Sequence, residues 1–385
     1  MIKRAIFFLD YPFDKRDYNR FGIEVLKKNG FNVEVWGFVP LLHPAVIGNV
    51  KIKNPMQIDM SFSQKSEVIS AIKGLKQSDI VIMLIPYYIE SLFIYKALSK
   101  IGVPYCVMAV NSLPANPKKR SSVFKLLRIK NVTHKKICDL FFKRLPFRCV
   151  GVKSASILFA GGAASNPSNF PVDDNTEILW LHTLDYDLYL ELLSEPIEVN
   201  KIIGVFLDEY MPFHPDYLHS SLPAPETEET YYKGLCAFFR LIESKYDARI
   251  VIAAHPRSHY SEHPDFFEGR EVIRENTLEL VSRSGFVICH SSTSVNFAVL
   301  FSKPILFVTS DKIDKSWYGP QIRSMADAFG KLPINVDSSI SIDLNKEIEI
   351  DDKVYSDYKC NYIKVPGSKE LPFWEIVSSY IKEHY

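Results

Sequence analysis

Short apolar runs that stop abruptly at a polar residue recur along this chain, and they constrain its fold more than any other feature. Ile6-Phe7-Phe8-Leu9 stops at Asp10, Ile80 to Ile85 at Pro86-Tyr87, Tyr105 to Val110 at Asn111-Ser112, and Ile178-Leu179-Trp180-Leu181 at His182. Because these runs are continuous rather than alternating, they predict strands buried on both faces, as in a parallel sheet. Helix-like stretches separate them: Phe21 to Asn29, closed by Gly30 as its C′ glycine, and Ser91 to Ser99. With Val33-Glu34-Val35-Trp36 as a further strand, the unit is βαβ.

The pattern restarts after the short polar stretch Glu195 to Asn200. Gly204-Val205-Phe206-Leu207 stops at Asp208-Glu209, Ile250 to Ala254 at His255, Phe286 to Cys289 at His290, and Ile305 to Val308 at Thr309-Ser310-Asp311. Thr230 to Ser244 reads as a strong helix, and Leu371 to Glu383 as a closing one. A chain of 385 residues exceeds what one core usually organises. The expectation is α/β: two Rossmann-like, doubly wound parallel-sheet domains, 1–195 and 201–370, with a closing helix in 371–385.

A composition of 47% hydrophobic and 24% charged residues is that of an ordinary globular protein. No run is long enough to span a bilayer, and Met1-Ile2-Lys3-Arg4 leads straight into a strand with no cleavable leader, so a cytoplasmic protein is expected. The six cysteines form no C-x-x-C pair and read as reduced thiols. The net charge of +1 conceals one strong asymmetry: Lys118 to Arg148 holds eleven Lys and Arg against a single acid, Asp139. Phe124, Leu126, Leu127, Ile129, Ile137, Leu140, Phe141 and Phe142 interleave with these cations. Such a segment can lie on an anionic membrane, form an amphipathic helix with a solvated basic face, or bind nucleic acid.

In open parallel sheets, ligands bind beyond the carboxyl ends of the strands. The strand-stopping residues are therefore the candidates. In His290-Ser291-Ser292-Thr293-Ser294, hydroxyl and backbone N–H groups ahead of an apolar helix start can hold a phosphate. Simple N-capping explains one such residue but leaves three. In His255-Pro256-Arg257 the histidine alone would more often be structural, but a guanidinium two residues on suits phosphate. Asp208 or Glu209 could accept a proton from an attacking hydroxyl, or merely occupy a solvated turn. Asp10, Asp17, Arg20 and Asp185 are the candidates on the first domain's side.

Several chemistries lack their signatures. There is no G-x-x-x-x-G-K-[ST] loop, no G-x-G-x-x-G after the first strand and no G-x-S-x-G elbow. Zinc spacing is absent, and the only D-x-D, Asp185-Tyr186-Asp187, reads equally as a helix start, so no metal is required.

Two Rossmann-like domains with a closing C-terminal helix resemble a GT-B glycosyltransferase. More specifically, His255-Pro256 followed by Ser291-Ser292, with Asp208-Glu209 upstream, is similar to the pattern of bacterial sialyltransferases and polysialyltransferases, which use CMP-activated sugars. Leu280 to Phe307, with Ser291-Ser292 and Lys303-Pro304-Ile305, also resembles teichoic-acid polymerases and capsular Kdo transferases. The family's acidic motif normally ends in Gly, whereas Tyr210 follows Asp208-Glu209 here.

The resemblance implies two domains facing a cleft. It implies a metal-independent, cofactor-free transfer of sugar from a nucleotide-sugar co-substrate, preferably a CMP-linked sialic or ulosonic acid, to a glycan or lipid-linked glycan of capsule, O-antigen or lipopolysaccharide. His255, Ser291 and Ser292 would contact the donor phosphate, with Arg257, His290, Thr293 and Ser294 beside them. Asp208, Glu209 or Asp10 would serve as base, and Asp17, Arg20 and Asp185 would lie toward the acceptor. The basic segment would then sit on the inner face of the cytoplasmic membrane, and no nucleic-acid partner is expected. The alternatives are a UDP- or GDP-sugar glycosyltransferase, a polyol-phosphate transferase of the teichoic kind, and a non-catalytic GT-B-like binding module.

Overall fold

The computed structural model describes residues 2–44, 47, 54–114, 142, 145–193, 196–214, 217, 222–338 and 342–385. Contacts among them divide the chain into two compact units. One comprises Met1–Ser112, Lys119–Leu184 and Lys364–Tyr385; the other comprises Leu113–Lys118 and Asp185–Ile363.

Among the described residues the first unit has seven strands: β1 (Arg4–Leu9), β2 (Asn32–Gly37), β3 (Met60–Ser61), β4 (Asp79–Met83), β5 (Tyr105–Ala109), β6 (Ile157–Ala160) and β7 (Glu177–Trp180). They lie in the order β3-β2-β1-β4-β5-β6-β7, and every neighbouring pair is parallel. The pleat explains why the central strands are apolar, whereas β7, expected to be buried on both faces, leaves Ile178 and Trp180 exposed. Along β1, Ala5, Phe7 and Leu9 enter one core with Phe21, Phe159 and Trp374, while Ile6 and Phe8 enter the other with Trp36, Phe38 and Ile72.

The second unit has six strands among the described residues: β8 (Asn200–Leu207), β9 (Arg249–Ala254), β10 (Val272–Arg274), β11 (Ser284–Cys289), β12 (Ile305–Thr309) and β13 (Ile334–Asn335). Their order is β10-β9-β8-β11-β12-β13, again with all neighbours parallel. The helix Glu228–Tyr246 covers one face through Tyr231, Tyr232, Leu235, Phe238, Phe239 and Ile242, a helical spacing that joins Phe206, Ile252 and Ile288 in one core. Val295–Leu300 covers the other, with Val205, Val287 and Phe307.

The division between the units departs from the expected boundary at 195–200. The helix Asp185–Leu192 belongs to the second unit, because Tyr186 is buried with Val205 and Val287 and Tyr189 meets Phe301 at 5.2 Å between ring centroids. Leu181 and Leu184, just before it, bury in the first unit. The polar stretch runs directly into β8, which starts at Asn200. The chain's last segment returns earlier than expected, at Lys364, whose backbone bridges His182. Its helix, Phe373–His384, then packs on the first unit. Trp374, 2% exposed, meets Phe7 and Phe159 at 5.5 and 6.2 Å, and its indole N–H donates to the Arg20 carbonyl at 2.9 Å. A Cβ on Gly22 would stand 2.3 Å from this ring, and the Gly22 φ of +54° is itself left-handed, so glycine is needed there twice over.

No helix among the described residues is long and apolar enough to cross a membrane. Most of Lys118 to Arg148 lies outside the described residues.

Candidate active site

In the second sheet the chain leaves β8 toward β9 and β10 on one side, then returns to β11 and β12 on the other. The order reverses between β8 and β11, the position at which parallel sheets gather ligands beyond the carboxyl ends of their strands. Asp208-Glu209 ends β8 at this point, and the two carboxylates work in opposite directions.

Asp208, 4% exposed, faces the β9 side. Its Oδ1 accepts the Tyr210 N–H at 2.9 Å, and its Oδ2 accepts the His255 N–H at 3.2 Å and the Tyr260 hydroxyl at 2.9 Å. Glu209 faces the β11 side. Its Oε1 accepts the Ser291 N–H at 2.7 Å, its carboxylate also takes the His290 N–H, and its Oε2 accepts the Tyr318 hydroxyl. Ser291 in turn donates to the Tyr318 hydroxyl at 2.7 Å. Burial is the largest influence on both acids, pushing Asp208 up to about 6 and Glu209 up to about 7, against the hydrogen bonds that favour ionisation. These carboxylates are anchors holding the His255 and Ser291 loops on either side of the switch point. A solvated turn does not describe them.

The backbone explains how Tyr210 stands where the resembling families carry glycine. Tyr210 has φ +50° and ψ 38°, the left-handed conformation that glycine adopts most easily. The side chain offsets that strain: the ring is 4% exposed, lies edge-on to Tyr260 at 5.3 Å, and its hydroxyl meets His263 Nε2 at 2.9 Å.

The residues at the rim are more open. The His255 ring is half-buried, and its Nδ1 accepts the Arg257 N–H at 3.2 Å, so the neutral ring carries its proton on Nε2. His214 packs against it edge-on, with centroids 4.8 Å apart. Arg257 and Thr293 are exposed, and Ser292 and Ser294 are half-buried. Ser294 precedes the helix Val295–Leu300 without capping it through its side chain; instead Ser292 Oγ accepts the Ser294 N–H at 3.3 Å.

His290 does not belong to this rim. It is 1% exposed, its Nδ1–H donates to the Val308 carbonyl at 2.7 Å, and its Nε2 accepts the Tyr231 hydroxyl at 3.0 Å. Burial lowers its pKa to about 4 and keeps the ring neutral. With both nitrogens used inside the unit, the ring cannot serve a donor phosphate. Sequence reasoning also passed over Tyr260, Tyr318 and His214, which reach the site from loops with no strand-end signature. Glu226 escaped as well: 6% exposed, it accepts the hydroxyl of Ser310, just beyond β12, at 2.5 Å.

The first sheet reverses between β1 and β4, and Asp10 sits there, just past β1. Its Oδ2 meets His43 Nε2 at 3.1 Å and accepts the Tyr88 hydroxyl at 3.2 Å. Asp17 is used structurally: it lies in the first turn of the helix Lys15–Arg20, 5% exposed, paired with Arg16 at 3.1 Å, and burial raises its pKa. Arg20 ends that helix beneath Trp374. Asp185, expected on the first domain, opens the helix Asp185–Leu192 and so lies in the second unit. Among the described residues no group of three His, Cys, Asp or Glu side chains is placed to hold a metal ion.

No family model matches the chain, and no curated protein sequence matches it. Solved structures do. A UDP-GlcNAc 2-epimerase from Methanocaldococcus jannaschii is similar over the whole of both chains, with a TM-score of 0.50 at 12% identity. CalG4, the calicheamicin glycosyltransferase, is similar over 100% of this chain and 98% of its own, with a TM-score of 0.50 at 10% identity. At such identities the likeness is one of fold. Together with the two parallel sheets, it establishes that the chain has an α/β fold of the GT-B type.

Proposed function

We propose that the chain is a glycosyltransferase that takes a sugar from a nucleotide donor bound by its second unit and passes it to a glycan acceptor bound by its first. The observation that carries this reading is the anchored pair of loops at the second switch point. Asp208 holds the His255 backbone and Glu209 holds that of Ser291, leaving His255, Arg257, Ser292, Thr293 and Ser294 along the rim. Donors of this kind, fixed in place before the substrate arrives, stabilise the negative charge that grows on a departing phosphate. His255 Nε2–H, the Arg257 guanidinium and the hydroxyls of Ser292 to Ser294 supply that stabilisation. Ser291 contributes by position, since its own hydroxyl is given to Tyr318.

A CMP-linked sialic or ulosonic acid is the preferred donor, supported by the resemblance of His255-Pro256 and Ser291-Ser292 to enzymes that use CMP-sugars. The reaction needs no resident metal or cofactor, because the leaving phosphate is met by protein groups. The acceptor is a growing surface polysaccharide or its lipid-linked precursor, and Lys118 to Arg148 holds the enzyme to the anionic membrane where such acceptors lie.

Thermal unfolding in the presence of CMP, CDP, UDP and GDP tests the donor assignment. Stabilisation by the cytidine nucleotides, lost in His255→Ala, is expected. Stabilisation by UDP alone would replace the CMP assignment with a UDP-sugar, and no response to any of the four would leave a non-catalytic module as the better account. Salt-sensitive sedimentation with anionic liposomes is the corresponding check on the basic segment.

A further inference from the structure

One carboxylate at the edge of the second sheet is only half used by the protein. Glu226 lies just before the helix Glu228–Tyr246 and is 6% exposed. Its Oε2 accepts the Ser310 hydroxyl at 2.5 Å, and Ser310 Oγ in turn accepts the Ile313 N–H at 3.1 Å, which fixes the direction of that hydroxyl. The other oxygen, Oε1, takes no hydrogen bond among the described residues and is not sealed from solvent. A buried carboxylate ordinarily has donors on both oxygens, so Oε1 has room for one more.

The strand register places this oxygen's neighbourhood. β11 and β12 pair as Val287↔Ile305, Ile288↔Leu306 and Cys289↔Phe307. The His290 Nδ1–H donating to the Val308 carbonyl at 2.7 Å keeps the two chains side by side past the last pair. Continued into the loops, the register sets Ser291-Ser292 beside Thr309-Ser310, about 5 Å away across one strand spacing. Ser291 is tied to the same segment, donating to the Tyr318 hydroxyl at 2.7 Å. The wall that carries Glu226 is pinned there too: the Trp317 indole N–H donates to the Pro223 carbonyl and Lys312 Nζ to the Thr230 hydroxyl, both at 2.9 Å. A carboxylate beside a phosphate site repels the phosphate but accepts strongly from hydroxyls on a ring joined to it. We infer that Glu226 is a recognition residue whose Oε1 accepts a hydroxyl of a sugar ring joined to the bound phosphate, the nucleoside's ribose or the transferred sugar, with Ser310 as its positioning residue. This rests on the glycosyltransferase reading above and adds a specificity contact outside the rim of His255, Arg257 and Ser292 to Ser294.

The test is calorimetric titration of the full chain with CMP, UDP and GDP, with their 2′- and 3′-deoxy counterparts, and with CMP-sialic acid, UDP-GlcNAc and GDP-mannose. Glu226→Gln, which keeps an acceptor for Ser310, is the variant compared. If the ribose is read, removing the hydroxyl concerned weakens binding to wild type about tenfold and to Glu226→Gln less than twofold. If the transferred sugar is read, wild type binds deoxynucleotides as tightly as ribonucleotides, and Glu226→Gln loses about tenfold on the nucleotide sugar but nothing on the bare nucleotide. Ser310→Ala is expected to reproduce whichever pattern holds at smaller magnitude. Should Glu226→Gln fail to fold, Glu226→Asp, which keeps the charge but withdraws it, is read in its place. A folded variant that binds every ligand within twofold of wild type, or that loses the same factor on all of them, would overturn the assignment of Glu226 alone and leave it a structural partner of Ser310. A wild type that binds none of the nucleotides or nucleotide sugars would overturn the glycosyltransferase reading and this assignment with it.

Discussion

Single residues at the second switch point tie chemistry to stability. Burial lifts Asp208 and Glu209 above the carboxyl values of 3.8 and 4.5 that they have when exposed, to about 6 and about 7. Between about pH 4 and pH 7 the folded chain therefore holds protons that the unfolded chain has released, and these two groups make folding stability fall as pH rises through that window. His290 acts in the opposite sense. Its pKa is lowered from 6.5 to about 4, so its contribution is lost as pH falls through that range. The difference between wild type and Glu209→Gln isolates one group: relative to wild type, the variant should gain about 2 to 3 kcal/mol as pH rises from 4.5 to 7.5 and change little above that. Chemical denaturation at a series of pH values measures it, and a flat difference would contradict the shift. Tyr210 presents a second balance. Tyr210→Gly relieves a left-handed φ worth about 1 kcal/mol, yet removes a buried ring whose loss costs about 3 kcal/mol or more. A net destabilisation of about 2 kcal/mol is expected in urea melts, and a more stable variant would show that strain outweighs packing.

Elements were legible where their physics is local. A strand buried on both faces must be apolar without interruption, so β1, β4, β5, β8, β9, β11 and β12 announce themselves, and each ends where the sheet's carboxyl edge meets polar groups. The amphipathic spacing of Glu228–Tyr246 was equally plain, and Gly30, at φ +87°, closes the preceding helix as a C′ glycine should. β3, β10 and β13, of two or three residues each, carry too little pattern to be seen. Their neighbours create them. The C-terminal helix was expected as an element, but its partner was not. Trp374→Ala should cost the first unit about 3 to 5 kcal/mol, because the cavity left against Phe7, Phe159 and Gly22 cannot readily close. A drop of that size in calorimetric unfolding is the expected result, and a loss under 1 kcal/mol would mean that the helix is dispensable.

At the scale of the whole molecule, the second unit contains every strand and covering helix of its sheet within Asp185–Ile363. The first is discontinuous: Phe373, Trp374, Ile376, Val377 and Ile381 complete a core begun by Ala5, Phe7 and Leu9. A fragment of residues 185–363 is therefore expected to give dispersed amide spectra alone, whereas residues 1–184 should aggregate until a peptide of residues 364–385 is added. Independent folding of residues 1–184 would contradict the role assigned to the return segment. The sequence by itself determined that there are two parallel sheets and which residues stand at their carboxyl edges, because buried strands leave a one-dimensional trace. Only the tertiary structure decided what those edge residues do. Burial and hydrogen bonding made anchors of Asp208 and Glu209 and locked His290 inward. They also left His255 at a rim and joined Asp10 to His43 and Tyr88. A polar residue's role depends on which groups from distant parts of the chain surround it, and no local pattern records that.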